Sequence, residues 1–316
     1  MRYLLTGVAG FIGSHLAEHL LGRGDSVLGV DCFTDFYPRA IKEKNLAGLK
    51  GQKGFEFIEA NLLNLDLPPL LKRVEGIFHL SAQAGVRNSW GRDFDYYLQH
   101  NIKVTQLILE AMKEFPKLRM IFSSTSSVYG DTDQYPTPED ARKHPFSPYG
   151  ATKLAGEGLC YVYYKNFGAD FVALRYFTVF GARQRPDMAF HKFIRGALTG
   201  EPIPVYGDGN QLRDYTYIKD IVAGIAAGFA KGRTGEAYNL GGGHQTKLMD
   251  AIKLIFDLCG KSVEIKFLPK VQGDVQETLA DTTKARTELG YNPKGSVEMG
   301  LKEEIEWVKG IIAVHG

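Results

Sequence analysis

Short apolar runs alternate with amphipathic stretches along the first half of the chain. Residues 2–6 are mostly apolar, which predicts a buried strand, and helical spacing continues from the following glycines to about residue 22. A second apolar run, 26–30, ends at Asp31. Comparable runs that predict further strands lie at 55–59, 76–80, 118–123 and 171–175. Strands that alternate with helices in this way predict one doubly wound parallel sheet in an α/β fold.

The pattern changes in the second half of the chain. A long amphipathic stretch from Asp93 to about Phe115 still predicts a helix of the first half. After Arg175 the elements become shorter, and Pro and Gly interrupt them more often. This change predicts a smaller, mixed α/β substrate domain that closes over a cleft in the first domain. The predicted division is 1–177 and 178–316, with the segments at about 215–245 as candidates for a return to the first domain.

Composition narrows the class of protein. The 316 residues are 44% hydrophobic and carry a net charge of +2, so the charge gives no reason to expect nucleic acid or a membrane as a partner. No apolar stretch approaches the roughly 20 residues of a membrane span. Three cysteines, Cys32, Cys160 and Cys259, lie far apart without metal-ligand spacing. They favour a reducing cytoplasm, and we expect no metal site.

Glycines lie where the first predicted strand passes into a helix, at Gly7, Gly10 and Gly13. Such a turn lets the backbone approach a pyrophosphate, which binds at the helix N-terminus. Asp31, at the tip of the second strand, can accept hydrogen bonds from an adenosine ribose and repel a 2′-phosphate. The pattern predicts a Rossmann-type site for NAD rather than NADP. The other residues that we expect to line it are Phe11, Ile12, Asn61, Leu62, Leu80, Ala82 and Gln83.

Candidate chemistry lies at the end of the strand 118–123. The hydroxyl cluster Ser124, Thr125 and Ser126 follows this strand, at the edge where open parallel sheets bind ligands. Tyr149 and Lys153, four residues apart on a predicted helix, share one face. A lysine ammonium this close favours phenolate and lowers the pKa of Tyr149, and a positive nicotinamide ring adds to the effect. We therefore expect Tyr149 to act as a general base near neutral pH.

These features, in this order, resemble the extended short-chain dehydrogenase/reductase superfamily and, more narrowly, the nucleotide-sugar epimerases. The resemblance runs nearly end to end. Four segments look like those of UDP-glucuronate 4-epimerases: Asp31–Pro38 (DCFTDFYP), His79–Arg87 (HLSAQAGVR), Arg175–Gly181 (RYFTVFG) and Arg185–Ala189 (RPDMA).

The resemblance implies a mechanism. Tyr149, as phenolate, takes the proton of the sugar 4-hydroxyl, Lys153 holds the phenolate and the nicotinamide ribose, and Thr125, with Ser124 behind it, hydrogen-bonds the same oxygen. Hydride passes from C4 to NAD and returns to the other face after the 4-keto sugar has rotated, so no net oxidation occurs. The resemblance also implies a homodimer, paired through the helix at about 93–115 and the Tyr149 helix.

Basic residues of the second domain suit an anionic nucleotide sugar, because Arg pairs with phosphate and carboxylate. The resemblance implies that Arg213 binds the diphosphate and that Arg185 binds a uronate. Tyr206 is a candidate for stacking on the uracil or for packing in the core. The other substrate contacts that we expect are Arg87, Ser126, Ser127, Thr178, Lys192 and Asp274.

Two positions depart from the family pattern. Many members have an arginine where this chain has Val271, so either Arg213 and Lys192 hold more of the diphosphate or Lys270 substitutes. The other position, Thr178, replaces an asparagine, as it often does in uronate epimerases.

A uronate substrate adds a requirement. Its 4-keto form is a β-keto acid, which loses CO₂ fastest when the breaking C–C bond is perpendicular to the ketone plane. Fixed donors can hold the carboxylate away from that geometry. The candidate donors are Ser126, Ser127, Thr178 and Arg185.

Ser127 separates the candidate reactions. UDP-glucuronate decarboxylases and nucleotide-sugar 4,6-dehydratases carry a glutamate here as an additional acid/base group. A serine leaves proton abstraction at C5 and assisted decarboxylation without an obvious agent, whereas epimerisation needs none. The predicted function is an NAD-dependent 4-epimerase that interconverts UDP-glucuronate and UDP-galacturonate. The alternatives are UDP-glucose 4-epimerase and, after it, UDP-glucuronate decarboxylase; Tyr149 and Lys153 together argue against a non-catalytic NAD-sensing protein.

Overall fold

The computed structural model describes residues 1–315. Its strands are β1 (Arg2–Thr6), β2 (Ser26–Asp31), β3 (Phe55–Glu59), β4 (Gly76–His79), β5 (Arg119–Thr125), β6 (Asp170–Tyr176), β7 (Thr178–Phe180), β8 (Ile203–Tyr206), β9 (Leu212–Tyr217), β10 (Glu236–Leu240), β11 (Gln245–Lys247) and β12 (Ile265–Leu268).

Helices connect most of these strands. They are α1 (Phe11–Gly22), α2 (Arg39–Ala47), α3 (Pro68–Leu71), α4 (Phe94–Tyr97), α5 (Val104–Met112), α6 (Pro148–Phe167), α7 (Ala189–Thr199), α8 (Ile218–Lys231), α9 (Leu248–Cys259) and α10 (Val297–His315). A π-helical segment, Leu98–Lys103, joins α4 to α5. The helix predicted at about 93–115 is therefore present, with a π-helical interruption that its sequence pattern did not indicate.

Seven strands form one parallel sheet in the order β10-β6-β5-β4-β1-β2-β3. The chain starts in the middle of this sheet and winds outward in both directions, so the strand order reverses between β1 and β4. A crevice opens at the carboxyl ends of the strands at such a reversal, and ligands bind there. The predicted doubly wound α/β sheet is confirmed.

The second half of the chain adds a smaller, mixed part. Strands β7, β9 and β11 form a three-stranded sheet, and β8 pairs with β12. One strand of this half, β10, pairs instead with β6 at the edge of the large sheet. Leu5 of β1, Phe180 of β7 and Ile252 of α9 belong to one buried apolar cluster, so a continuous core joins the two parts. The division at residue 177 stays a prediction.

Two further observations bear on ligands and partners. None of the helices within residues 1–315 combines the length and the apolar character that crossing a bilayer requires. Across the same residues, no three His, Cys, Asp or Glu side chains come together as a metal ion would need.

Candidate active site

In the glycine turn after β1, segments of the backbone lie so close together that a side chain would not fit between them. Gly7 has a φ of +74°, which favours glycine. A Cβ added to Gly13 would lie 2.1 Å from the Gly7 carbonyl oxygen, and one added to Gly7 would lie 2.8 Å from the Ser81 nitrogen. Because no side chain fills this space, the first amide groups of α1 face the crevice. The turn is therefore able to cradle a pyrophosphate.

Asp31 lies at the end of β2, beside that turn. Its carboxylate accepts hydrogen bonds from the backbone nitrogens of Ala9 (3.0 Å) and Phe33 (2.9 Å). Burial raises the pKa of Asp31, and these hydrogen bonds together with the nearby Lys42 ammonium act in the opposite direction. The carboxylate thus fixes the glycine turn against the second strand and also lines the cavity where a ribose would bind.

A single elongated cavity follows the carboxyl ends of the strands from the glycine turn to Tyr149. It brings together every residue that the sequence predicted for the cofactor: Gly7, Gly10, Phe11, Ile12, Gly13, Asp31, Asn61, Leu62, Leu80, Ala82, Gln83, Tyr149 and Lys153. The glycine cradle at one end, the carboxylate at a strand tip and the Tyr/Lys pair at the other end together fit a dinucleotide such as NAD. The individual contacts stay predictions.

Helix α6 carries the Tyr/Lys pair into this cavity. Ser147 caps the helix by accepting a hydrogen bond from the Gly150 nitrogen (3.1 Å), so Tyr149 and Lys153 lie in the first two turns. Lys153 is buried, with its ammonium 4.5 Å from the centroid of the Phe122 ring. Tyr149 meets the edge of the Tyr97 ring, with the two centroids 6.2 Å apart.

The electrostatics of this pair differ from the prediction. Burial raises the pKa of Tyr149, while the Arg185 charge and the Thr125 hydroxyl act to lower it. Burial also lowers the pKa of Lys153 to about 8. The expected lowering of the Tyr149 pKa by Lys153 is therefore not found in the protein alone. The site excludes water, which disfavours both the Tyr149 phenolate and the Lys153 ammonium.

The hydroxyl groups of the cluster after β5 bond to different partners. The Thr125 hydroxyl accepts a hydrogen bond from the Ser127 nitrogen and donates one to the Ser127 hydroxyl, both at 3.2 Å. Ser124 lines the cavity but donates its hydrogen to Glu157, on the side of α6. Ser126, in the 3₁₀ turn between them, is half-buried. Thr125 is thus the member whose hydroxyl lies toward Tyr149.

Arg185 links the second half of the chain to this chemistry. Among the described residues that follow residue 177, it alone lines the cavity. Its Nε and Nη2 donate to the two carboxylate oxygens of Asp187 at 2.9 and 3.0 Å. Its charge lies close enough to Tyr149 and Tyr37 to act on their pKa values. Thr178, at the start of β7, is half-buried and outside the lining of this cavity.

Other predicted substrate residues form a separate group. Arg87, after β4, donates to the Asp274 carboxylate (2.8 Å), and its guanidinium carbon lies 4.2 Å from the centroid of the Tyr206 ring. Tyr206 is half-buried, so it stacks under a cation rather than packing in the core. Lys192 and Arg213 lie near enough to Arg87 for its charge to act on their pKa values. The structure thus brings five predicted residues together across the two parts of the chain.

Arg213 holds a loop of the protein. Its Nη2 donates to the Val275 carbonyl (2.6 Å) and its Nη1 to the Gln276 carbonyl (3.0 Å). Burial lowers the pKa of this guanidinium. Part of the fork predicted for a diphosphate therefore binds backbone carbonyls just after Asp274.

Sequence reasoning missed Asn101, in the π-helical segment. Its amide oxygen accepts from the Gln83 nitrogen (2.7 Å), and its amide nitrogen donates to the Gln83 carbonyl (3.0 Å) and the Thr152 hydroxyl (2.9 Å). The residue therefore ties the loop after β4 to the helix of Tyr149. The available signal was a polar side chain on the buried face of an amphipathic helix.

Sequence reasoning also missed Glu157 and Arg175, which form a buried ion pair behind Ser124. For Glu157 the signal was its spacing of four residues from Lys153. For Arg175 the sequence indicates only the end of a strand within a family segment.

Comparison with known proteins places these features in context. The model of the NAD dependent epimerase/dehydratase family matches residues 3–241. The chain is 46% identical to YtcB of Bacillus subtilis, named an uncharacterized UDP-glucose epimerase, over 98% of this chain and 99% of that protein. It is 39% identical to the UDP-glucuronate 4-epimerase of Thermodesulfobacterium geofontis, over 97% and 96%. The crystal structure of UDP-glucuronic acid 4-epimerase from Bacillus cereus, in complex with UDP-glucuronic acid and NAD, aligns with a TM-score of 0.95 at 45% identity, over 98% and 100%.

Proposed function

The chain belongs to the NAD dependent epimerase/dehydratase family, and we propose that it is a UDP-glucuronate 4-epimerase, which interconverts UDP-glucuronate and UDP-galacturonate through a transient 4-keto sugar. The observation that carries this proposal is the position of Arg185, whose guanidinium reaches the cavity beside Tyr149. A cation next to the base suits a sugar that bears a carboxylate near its reacting carbon.

NAD, when bound, accepts a hydride from C4 of the sugar and returns it to the opposite face. The glycine turn binds its pyrophosphate, and Asp31 binds its adenosine ribose. Lys153 lies where it can hold the other ribose.

Tyr149 takes the proton of the sugar 4-hydroxyl and later returns it. Because burial raises its pKa, the phenolate depends on positive charge nearby. Arg185, from the loop after β7, supplies that charge within the protein, and a bound nicotinamide ring would add to it. Thr125 donates a hydrogen bond to the oxygen that changes between hydroxyl and ketone.

Arg185 also protects the 4-keto uronate from loss of CO₂. Asp187 binds its Nε and Nη2, so the plane of the guanidinium is fixed and Nη1 stays available for the carboxylate of the sugar. A carboxylate held in one orientation cannot rotate freely to the perpendicular geometry that favours decarboxylation. Ser127 adds a hydroxyl where a glutamate would promote that reaction, and Ser126 and Thr178 are further candidate donors.

The group around Arg87 binds the nucleotide end. Arg87, Lys192 and Arg213 surround the place where a diphosphate lies when the sugar is at Tyr149, and Tyr206 offers a ring to the uracil. Arg213 has part of its fork on backbone carbonyls. Lys192 and Arg87 therefore hold more of the diphosphate, which compensates for Val271.

Location and assembly belong to the same proposal. We place the enzyme in the cytoplasm, where its nucleotide-sugar substrate is expected. Two copies pair through α4–α5 and α6, which expose large apolar side chains to solvent: Tyr96, Leu98, Tyr161, Val162 and Phe167.

The test is a product analysis. Purified protein is incubated with UDP-glucuronate without added cofactor, and the nucleotide sugars are separated by anion exchange. UDP-galacturonate is the expected product. Accumulation of a UDP-pentose would identify a decarboxylase. Turnover of UDP-glucose without turnover of UDP-glucuronate would identify the neutral-sugar enzyme.

A further inference from the structure

The face of α6 that carries Tyr149 and Lys153 continues to Glu157. The three residues are spaced four apart, so they lie along one side of the helix, toward the large sheet. Ser124, at the end of β5, lines the cavity and donates its hydroxyl hydrogen to Glu157 Oε1. Glu157 itself does not line the cavity. Its hydrogen bond to the lining of the cavity comes from Ser124.

Arg175 of β6 holds the Glu157 carboxylate in place. Its Nε donates to Oε1 at 2.9 Å and its Nη2 to Oε2 at 2.7 Å. The third nitrogen, Nη1, donates to the Tyr129 hydroxyl and the Glu139 carbonyl, each at 2.8 Å. The Arg175 and Glu157 side chains are only 4% and 11% exposed. A carboxylate that is buried and hydrogen-bonded on both oxygens is fixed in position.

This arrangement sets the role of the Ser124 hydroxyl. A serine has one hydrogen to donate, and in Ser124 it is already given to Glu157. Ser124 can therefore only accept hydrogen bonds from groups in the cavity, such as an ammonium or a hydroxyl. The Thr125 hydroxyl lies toward Tyr149 and donates to the Ser127 hydroxyl at 3.2 Å. Ser127 has a hydrogen of its own, so this bond can reverse and leave Thr125 free to donate toward the reacting oxygen.

Glu157 also acts on Lys153, one helical turn away. Burial lowers the pKa of Lys153 to about 8, while Cys160 and Glu157 act to raise it. Burial raises the pKa of the Cys160 thiol far above neutrality, so that the thiol carries no charge. Glu157 is therefore the anion that stabilises the Lys153 ammonium from the protein side.

We propose that Glu157 is a positioning residue of this active site, which fixes the Ser124 hydroxyl as an acceptor and keeps Lys153 charged. The inference rests on the proposed function, since it assigns Glu157 to the same Tyr149–Lys153 pair. The titratable and charged groups near enough to Glu157 for its charge to act on their pKa values come from several elements: Lys153 and Cys160 of α6, Arg175 of β6, Tyr129 after β5, and Lys143 in the following loop.

The substitution Glu157→Gln tests this directly, because it keeps the shape and an acceptor for Ser124 but removes the charge. The readout is kcat for conversion of UDP-glucuronate between pH 6 and pH 10. Loss of the anion lowers the pKa of Lys153, so we expect the alkaline limb of the profile to move by about one unit to lower pH. Glu157→Asp, which retains the charge, is expected to keep the limb of the wild-type enzyme.

Asp170→Asn is the matched control. Asp170 pairs with Arg119 (2.8 Å) at the opposite ends of the same two strands, β5 and β6, away from the cavity. Its variant is expected to leave the pH profile unmoved. A Glu157→Gln profile that is lowered by the same factor at every pH, without a shift, would overturn the inference.

Two further arms keep the test decisive. If Glu157→Gln does not fold, Ser124→Ala leaves the Glu157–Arg175 pair intact; we expect kcat to fall about 10-fold at unchanged KM, as for loss of one hydrogen bond. A kcat equal to that of the wild-type enzyme would overturn the inference. A wild-type protein that does not convert UDP-glucuronate would instead refute the proposed function.

Discussion

The guanidinium of Arg185 meets the carboxylate of Asp187 through two hydrogen bonds, from Nε to Oδ1 at 2.9 Å and from Nη2 to Oδ2 at 3.0 Å. Two parallel bonds fix both the position and the plane of the guanidinium. Because the group also lines the cavity of Tyr149, this cavity contains a cation of defined orientation.

Replacement of Arg185 is expected to reduce turnover of a uronate more than turnover of a neutral sugar. For Arg185→Ala we expect kcat/KM for UDP-glucuronate to fall about 10- to 150-fold, which corresponds to a charged hydrogen bond of about 1.5–3 kcal/mol. Turnover of UDP-glucose is expected to fall less, because this sugar has no carboxylate and loses only the charge of Arg185 beside Tyr149. Arg195→Ala is the control, since Arg195 is exposed on α7 and pairs with Glu201. Equal losses on both sugars would refute the binding of the uronate carboxylate by Arg185.

Tyr149→Phe isolates the proton transfer. The substitution removes one oxygen from a ring that keeps its packing against Tyr97, so NAD content and substrate KM are expected to stay close to those of the wild-type enzyme. We expect kcat to fall by about 10²–10⁴, the usual contribution of a general base. Tyr161→Phe, on the exposed side of the same helix, is expected to be neutral. A Tyr149→Phe enzyme with more than a tenth of the wild-type kcat, measured by initial rates, would contradict the assignment of the base.

The glycine turn gives a prediction on stability and cofactor content. In Gly13→Ala the new Cβ would lie 2.1 Å from a backbone oxygen, so α1 must shift. We expect loss of bound NAD and a Tm lower by roughly 5 °C or more. Gly22 lies in the same helix, and a Cβ added there would meet no atom within 4 Å outside the helix's own backbone. The Gly22→Ala variant is therefore expected to keep its NAD and its Tm. Absorbance of released NAD and a thermal melt measure both, and a Gly13→Ala protein that retains NAD would contradict the cradle.

Much of this molecule could be predicted because its signals are local. The glycine turn and Asp31 are fixed by the short connection from strand to helix, and Tyr149 and Lys153 by helical spacing. The sheet followed from the alternation of apolar runs. Each of these inferences needed only neighbours within about 30 residues.

The remaining features depend on contacts distant in sequence. The Arg87–Asp274 pair joins residues on opposite parts of the chain, and the Arg213 fork is occupied by a loop some 60 residues later. The pKa of Tyr149 depends on how much water the assembled site excludes, which spacing along a helix cannot reveal. The π-helical segment at Asn101 follows from packing against Gln83 and Thr152 rather than from a residue preference.

The burial of His79 predicts that the folded protein loses stability in acid. It contacts the hydroxyls of Thr6 (2.9 Å) and Thr105 (3.1 Å), and burial, with the Lys153 charge, lowers its pKa to about 3. In the unfolded chain His79 is protonated near pH 6.5. Its contribution to the free energy of unfolding is therefore fully present above that pH. It is lost as the pH falls toward 3, by about 1.4 kcal/mol per unit.

His79→Asn removes this titration. Urea unfolding at pH 7.5, 6.5 and 5.5 is expected to show a lower stability than that of the wild-type protein at pH 7.5 but a shallower decline below pH 6.5. The exposed His144 provides the control, because His144→Asn is expected to leave the slope unchanged. Parallel declines of the wild-type and His79→Asn proteins would contradict a neutral, buried His79.

In the proposed reaction, C4 is inverted by a hydride that leaves and returns, with no proton chemistry at C5. Proton NMR of UDP-glucuronate incubated with the wild-type protein in D₂O tests it most directly. We expect UDP-galacturonate that keeps its protons at C4 and C5, because the returned hydride does not exchange with solvent and Ser127 supplies no base for C5. Deuterium at C5, or a UDP-pentose formed with release of CO₂, would contradict it.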